Sequence, residues 1–243
     1  MSMHAPRPPR MRRPRRAALL LPVLLAACAG LPVERPAAGG PARYLLAPAH
    51  PTAGNAVAGS GPVLEVMRVR AAPGFEGDAM LYMRRSRRLE AYARGRWADA
   101  PARMLQPAVV EALAGAGLFR AVVAGPGPAR AALRLDLRLL ALYHDLTAER
   151  PAVRLVLRAT LVERRSRRVL ATRRVEASAP APPDGAGAAA DGAARALDLA
   201  LAELVRFCSE TLAAQAASAG ATWRRASSTT PASEGLRGAA SAR

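Results

Sequence analysis

Leu133-Arg134-Leu135-Asp136-Leu137-Arg138-Leu139 is the stretch that decides the fold. Four leucines alternate with three charged residues. A helix would scatter those leucines around its axis. A strand, whose side chains point to opposite faces at successive positions, puts all four on one face and the charges on the other. The segment therefore reads as a strand in a sheet with one buried and one solvated face. The device recurs downstream. Val153, Leu155, Leu157, Ala159 and Leu161 share one face, with Arg154 and Arg158 on the other, and Val169 to Val175 follows across the polar turn Glu163–Arg168. Long neighbouring strands joined by short connections imply an antiparallel meander.

Working outward, Val63 to Val69 is rich in Val, Leu and Met and predicts a buried strand. Met80–Arg84 and Leu89–Arg94, separated by a short basic turn, predict a hairpin. A helix is expected next, capped by Asp99 with Pro101 in its first turn. Leu105, Val109, Ala112 and Ala116 fall on one face of it, and Gly115 and Gly117 supply its stop. Phe119–Ala124 predicts a further strand, ended by Gly125-Pro126-Gly127-Pro128. After the meander and a loop over Pro180–Gly187 comes the strongest helical pattern, from about Ala188 to Leu212. Leu197, Leu201, Leu204, Cys208 and Leu212 form its apolar stripe, with Ala200 and Phe207 beside it and Asp198, Glu203, Arg206 and Glu210 opposite. Tyr44-Leu45-Leu46 is a candidate edge strand. The expectation is an α+β fold: a mainly antiparallel sheet with two helices packed on one face.

The N-terminus carries a different kind of signal. Residues 1–16 hold six arginines and no acid, and an apolar run from Ala17 ends in Leu25-Ala26-Ala27-Cys28. A basic start, a short apolar segment and small residues at the cut make a secretory signal peptide. The run is too short to span a bilayer, which needs about 20 apolar residues. Leu-Ala-Ala-Cys resembles the lipobox of bacterial lipoproteins, in which the cysteine thiol takes a diacylglycerol before cleavage. Cys28 is therefore the expected lipidation site and the membrane anchor. Ala29 after it, rather than Asp, favours the periplasmic face of the outer membrane over the inner membrane. The expected organisation is a signal peptide over residues 1–27, a lipidated N-terminus and Pro/Gly-rich tether over 28–62, a folded domain over 63–212 and a disordered tail over 213–243.

The chain has 36 basic and 18 acidic residues, and every basic residue is Arg. The leader removes six arginines and no acid, which leaves a mature net charge of about +12. Such a surface attracts anionic headgroups or an acidic partner. Export to the envelope, and aromatics that are few and not interleaved with the arginines, argue against nucleic acid.

Searching for chemistry returns little. With no Lys there is no phosphate-binding Gly-Lys motif, and no Gly-Xaa-Ser-Xaa-Gly elbow is present. No His/Cys cluster has metal-ligand spacing, so neither metal nor cofactor is expected, and no catalytic residue is assigned. With Cys28 lipidated, Cys208 has no disulfide partner and reads as a small core hydrophobe. His144-Asp145, at the end of a strand, reads as a solvated pair rather than an acid–base couple. The Arg runs at Arg84–Arg88 and Arg164–Arg168 occupy predicted turns. Trp97 is expected in the core. Tyr82 and Tyr92, with Arg84 and Arg85, are the candidate partner-contact residues, since amphipathic aromatics serve cores and interfaces alike.

One segment resembles a known family. Leu81-Tyr82-Met83-Arg84, Leu89-Glu90-Ala91-Tyr92 and Arg96-Trp97-Ala98-Asp99-Ala100-Pro101 are similar to the hairpin and helix start of the ABC-type transport auxiliary lipoproteins, the family that includes the small lipoprotein of the paraquat-inducible operon. The lipobox, the Tyr44 strand, the alternating strands and the late Ala/Leu-rich helix follow in the same order. The likeness covers roughly residues 43–212. It implies a non-enzymatic part of an envelope lipid-transport machine, whose partners are an ATPase, a permease and an MCE-domain protein; self-association is left open. The other reading is a structural or assembly lipoprotein of the outer membrane unrelated to ABC transport.

Overall fold

The alternating leucines form the axis of the sheet. The computed structural model describes residues 40–50, 59–85, 87–127 and 130–227, with side chains described as far as residue 218. The expected signal peptide, Cys28 and the last sixteen residues lie outside that range. In chain order the elements are β1 (Ala42–Tyr44), β2 (Val63–Val66), β3 (Arg70–Ala71), β4 (Ala79–Arg85), β5 (Arg88–Trp97), α1 (Pro101–Gly115), β6 (Ala121–Ala124), β7 (Leu133–Asp145), β8 (Ala152–Glu163), β9 (Val169–Pro180) and α2 (Ala186–Ser227).

β7 runs on past Leu139 to Asp145 because a bulge intervenes. Leu139 pairs with Leu157 but Ala141 pairs with Val156, so Leu140 is the extra residue. The bulge shifts the inward set from odd to even positions, and Leu142 and His144 continue the buried face. β8 and β9 complete the expected meander, with Leu157 between Leu139 and Val175 and Leu155 between Leu142 and Ala177.

The α+β expectation holds, but the other side of β7 limits the antiparallel pairing to part of the sheet. β2, β3 and β4 all lie against β7 in parallel, at its beginning, middle and end respectively. β2 also pairs β6 in parallel, and β1 pairs β5 in parallel. Among the described residues, β4–β5, β7–β8 and β8–β9 are the antiparallel pairs. The sheet is therefore mixed. The connection from β2 to β6 passes through β3, β4, β5 and α1, a crossover long enough for the two strands to run the same way. β1 ends the strand order as an edge strand, as Tyr44 suggested.

Both helices contribute to one core. Leu105, Val109, Ala112 and Leu113 of α1 are buried with Leu197, Leu204, Phe207 and Cys208 of α2 against the leucines of β7 and β8. Alanines dominate the first half of α2; Ala193 and Ala196 are fully buried, so the helix lies close to the sheet there. Gly95 shows how close: a Cβ on it would stand 2.2 Å from the Ala186 Cβ. Toward the other end Arg173, on the inner face of β9, lies over the Phe207 ring at 5.2 Å and pairs with Glu203 at 3.2 Å and Glu210 at 2.7 Å.

Two further details differ from expectation. Ala100, not Asp99, is the N-cap of α1, and no side chain caps the helix. With Pro at N1 that amide hydrogen is absent, and Asp99 accepts instead from the Ala100 amide and from Arg103 one turn on. α2 continues to Ser227, beyond Leu212. Arg168 donates to Gln215 at 2.9 Å, so the turn between β8 and β9 supports the helix past its apolar stripe. Residues 40–50 also join the fold: Leu46 is buried, and the His50 ring contacts Asp198 at 2.8 Å.

Candidate functional site

The β4–β5 hairpin carries the candidate contact residues beyond the end of β7. Its last register partner on β7 is Asp145, opposite Met83, and the Leu146 amide donates to the Met83 carbonyl. Arg84, Arg85, Arg87 and Arg88 overhang from there, all exposed. Arg87 turns the chain with φ +66°, a left-handed conformation unusual for a residue with a side chain.

Beneath this rim lies an aromatic platform. Tyr82 stands opposite Glu90 on β5 and beside His144 on β7, so the three share a face. The Tyr82 and Tyr92 rings have centroids 4.7 Å apart at 47°. Tyr82 donates to Glu90 Oε2 at 2.9 Å, and Arg84 places its guanidinium 5.3 Å from the Tyr82 ring centroid. Arg88 approaches Glu90 at 3.6 Å. Tyr92 meets His144 Nδ1 at 2.8 Å, while His144 Nε2 faces the Ala181 carbonyl at 3.1 Å. A carbonyl only accepts, so Nε2 carries the proton; in the neutral ring Nδ1 then accepts from the Tyr92 hydroxyl. Both tyrosines are held above the ordinary phenol range. For Tyr82 the hydrogen bond to Glu90 leads, and for Tyr92 burial does. The hydroxyls are thus committed donors, and the cluster sets two packed tyrosine rings beneath exposed arginines.

The structure brings Tyr82, Tyr92 and Arg84 together. A register shift separates Met83 from Arg85, and Arg85 pairs with Arg88, on the side of β5 that carries Glu90 and Tyr92. His144 is the residue that sequence reasoning placed wrongly: it is buried, 1% exposed, and anchors Tyr92. Asp145 faces the other side of the sheet and binds Arg154 at 2.8 Å and Thr147. Burial works against its ionisation, but the bonds from Thr147 and Arg154 outweigh it and hold the carboxyl below the ordinary range. The two neighbours therefore cannot act as one acid–base pair. Alternation along a strand separates such neighbours onto opposite faces, whereas the burial of His144 follows from the bulge. Trp97 is in the core, as expected. Cys208 is fully buried, and burial pushes its thiol up to about 12. Among the described residues no group of His, Cys, Asp and Glu is placed to hold a metal ion, and no helix is long and apolar enough to cross a membrane.

The second Arg run sits at the opposite end of the molecule. The β8–β9 turn adjoins Leu133, the start of β7, whereas the β4–β5 turn adjoins its end. Arg164 there is bonded to the buried Glu65, whose other oxygen accepts from the Gly127 amide at 3.1 Å. Part of that run therefore serves the fold.

Known structures share this architecture. A crystal structure of a protein from Xanthomonas campestris superposes with TM-score 0.63 at 22% identity, over 72% of this chain and 98% of the other. A second crystal structure, of an uncharacterized protein, gives TM-score 0.51 at 15% identity, over 63% and 95%. At such identities the likeness concerns the fold alone. No curated protein matches the sequence. A family model does: the ABC-type transport auxiliary lipoprotein component matches residues 44–206, from the end of β1 into α2, and the chain belongs to that family.

Proposed function

We propose that the mature chain is held on a membrane by lipid on Cys28 and acts as an accessory component of an MCE-associated, ABC-type lipid transport system, docking that machine at the outer membrane. The observation that carries this reading is the family match over residues 44–206, joined to Leu-Ala-Ala-Cys at 25–28. Family membership supplies the link to an ABC transporter; the lipobox supplies the means of attachment. Two or more acyl chains anchor stably, at about 0.8 kcal/mol per buried CH₂. The contact surface in this reading is the hairpin of Tyr82, Arg84, Arg85 and Tyr92.

The anchor and the machine are tested apart. Cys28→Ser is expected to move the protein from the membrane fraction to the soluble fraction; unchanged partitioning would remove the anchor. The chain is expected to co-purify with an MCE-domain protein from detergent-solubilised envelopes. If none co-purifies and deletion leaves phospholipid distribution between the membranes unchanged, the transport reading falls. A structural or assembly lipoprotein of the outer membrane then replaces it.

A further inference from the structure

β9 is an edge of the sheet: among the described residues it pairs with β8 and with no other strand. Which of its backbone groups face outward follows from the ladder. The Ala181 amide donates to the Pro151 carbonyl at 3.0 Å, one step beyond the Ala152–Pro180 partners. In an antiparallel ladder, hydrogen-bonded pairs alternate with non-bonded ones. The register is unbroken from Ala152–Pro180 to Leu161–Ala171. Ala171, Arg173, Val175, Ala177 and Ala179 therefore turn their N–H and C=O toward β8. Thr172, Arg174, Glu176 and Ser178 turn theirs to the free edge, as Pro180 does its carbonyl. Arg195 of α2 donates to that carbonyl at 2.7 Å, in agreement with this phase.

Sheet edges are commonly guarded by proline, by a bulge or by charge of one sign. On β9 a register shift lies at Leu170 and Pro180 closes the other end. The stretch Thr172–Ser178 between them has neither, and its outward residues are all exposed, with one basic and one acidic side chain among them. Their order is self-complementary about Val175. When a second copy of β9 lies antiparallel beside the first with Val175 opposite its own copy, Arg174 stands opposite Glu176 and Thr172 opposite Ser178, on both sides of the axis. Every outward N–H of the stretch in one chain then meets an outward C=O of the other. An axis at Arg174 or Glu176 would set like charges opposite each other, and an axis at Arg173 or Ala177 would leave Arg174 facing Thr172 or Pro180. Opposed residues of opposite charge attract and those of like charge repel, so charge selects the axis at Val175. The helix fits the same axis. α2 lies on β8 and β9, so its own axis stands about 5 Å behind the two-fold, strands being about 4.8 Å apart. Two copies of α2 then lie about 10 Å apart on one face, a helix-packing distance. The groove beside the edge is lined by Arg174 and Glu176 and, on α2, by Leu199, Ala202, Glu203 and Arg206. These four recur at helical spacing on one flank. Leu199 is 54% exposed there, and the short side chain of Ala202 permits close approach.

We infer that the β9 edge and the Leu199–Arg206 flank of α2 form an interface with a second copy of this chain, joined about a two-fold axis at Val175 into one continuous sheet with both α2 helices on the same face. The pairing needs neither lipid on Cys28 nor a transport partner, so its failure leaves both of those readings standing.

The test uses the mature chain in density-matched mild detergent, with molar mass read by sedimentation equilibrium over a range of protein concentrations. A concentration-dependent dimer is expected. Arg174→Glu and Glu176→Arg, each alone, set like charges opposite one another and raise the dissociation constant on the order of tenfold. The two changes together restore opposed charges and bring the native value back, which a merely structural role for either residue would not do. Arg174→Pro removes an outward amide and leaves the bonds to β8 in place. It is expected to abolish the dimer while the circular dichroism of the dilute chain stays unchanged. A spin label at Thr160→Cys, on β8 beside Thr172, is expected to report one distance across the axis, with Cα atoms about 25 Å apart. A monomer at every concentration would overturn the inference and leave the edge to a strand of another protein. So would a dimer or larger oligomer that ignores the single charge changes and Arg174→Pro, or a label distance far longer than that expected.

Discussion

Tyr92, His144 and Asp145 show how much single side chains settle at the hairpin. The His144 ring is fully enclosed and satisfied at both nitrogens, by the Tyr92 hydroxyl and the Ala181 carbonyl. Tyr92→Phe leaves Nδ1 buried without a donor. That is expected to cost about 1–2 kcal/mol, measured as a lower urea midpoint with unchanged slope. Asp145 adds a pH dependence. Its carboxyl is held below its ordinary value of 3.8, so the folded state binds its proton less readily than the unfolded chain does. The stabilisation is therefore complete above that ordinary value and is lost as pH falls through the lower folded one. Asp145→Asn is expected to lower stability at neutral pH while flattening the loss in acid, read from thermal melts between neutral pH and pH 2. An acid limb as steep as that of the unmodified protein would show that Asp145 does not contribute.

At the scale of elements, the close approach of α2 to β5 is the tightest constraint. Gly95 is buried, and an added methyl would meet the Ala186 Cβ at 2.2 Å with Met80 Sδ and the Tyr44 ring at 3.4 Å. Gly95→Ala forces the start of α2 off the sheet. The expected cost is about 1–3 kcal/mol, read from denaturation, with a larger loss for Gly95→Val. The same contact explains why α2 opens with alanines: leucine at Ala193 or Ala196 would have no room against the sheet. Where α2 moves out toward Leu197, Leu204 and Phe207, larger side chains fill the space. Alanine-rich composition, which in the sequence resembles a bias of the whole chain, is here a packing requirement.

On the scale of the whole molecule, one continuous core joins both helices to the meander and to β2 and β4. Leu204 is fully buried at its centre. Leu204→Ala is expected to cost about 2–4 kcal/mol, with near- and far-ultraviolet circular dichroism falling together in one transition. Loss of the near-ultraviolet signal ahead of the far-ultraviolet one would mean that packing is lost before secondary structure, against a single cooperative core.

Several of these features were legible in the residues themselves. Alternation along Leu133–Leu139 and Val153–Leu161 specified which faces are buried, because a strand has only two faces and the hydrophobic effect assigns one of them to the core. The stripe of Leu197, Leu201, Leu204 and Cys208 specified the inward side of α2 in the same way, and the hairpin announced itself by two short strands around a basic turn. Local pattern carries no information about which distant strand lies alongside, so the parallel partners of β7 and the mixed character of the sheet waited on tertiary structure. So did the bulge at Leu140, which continuous apolar sequence conceals, and with it the burial of His144. The two arginine runs look alike as sequence; only the direction of β7 sets them at opposite ends, one bonded to Glu65 and the other overhanging the sheet. Periodicity is a one-dimensional consequence of burial and can be read from a chain, whereas pairing and polarity are relations between distant segments that exist only once the chain has folded.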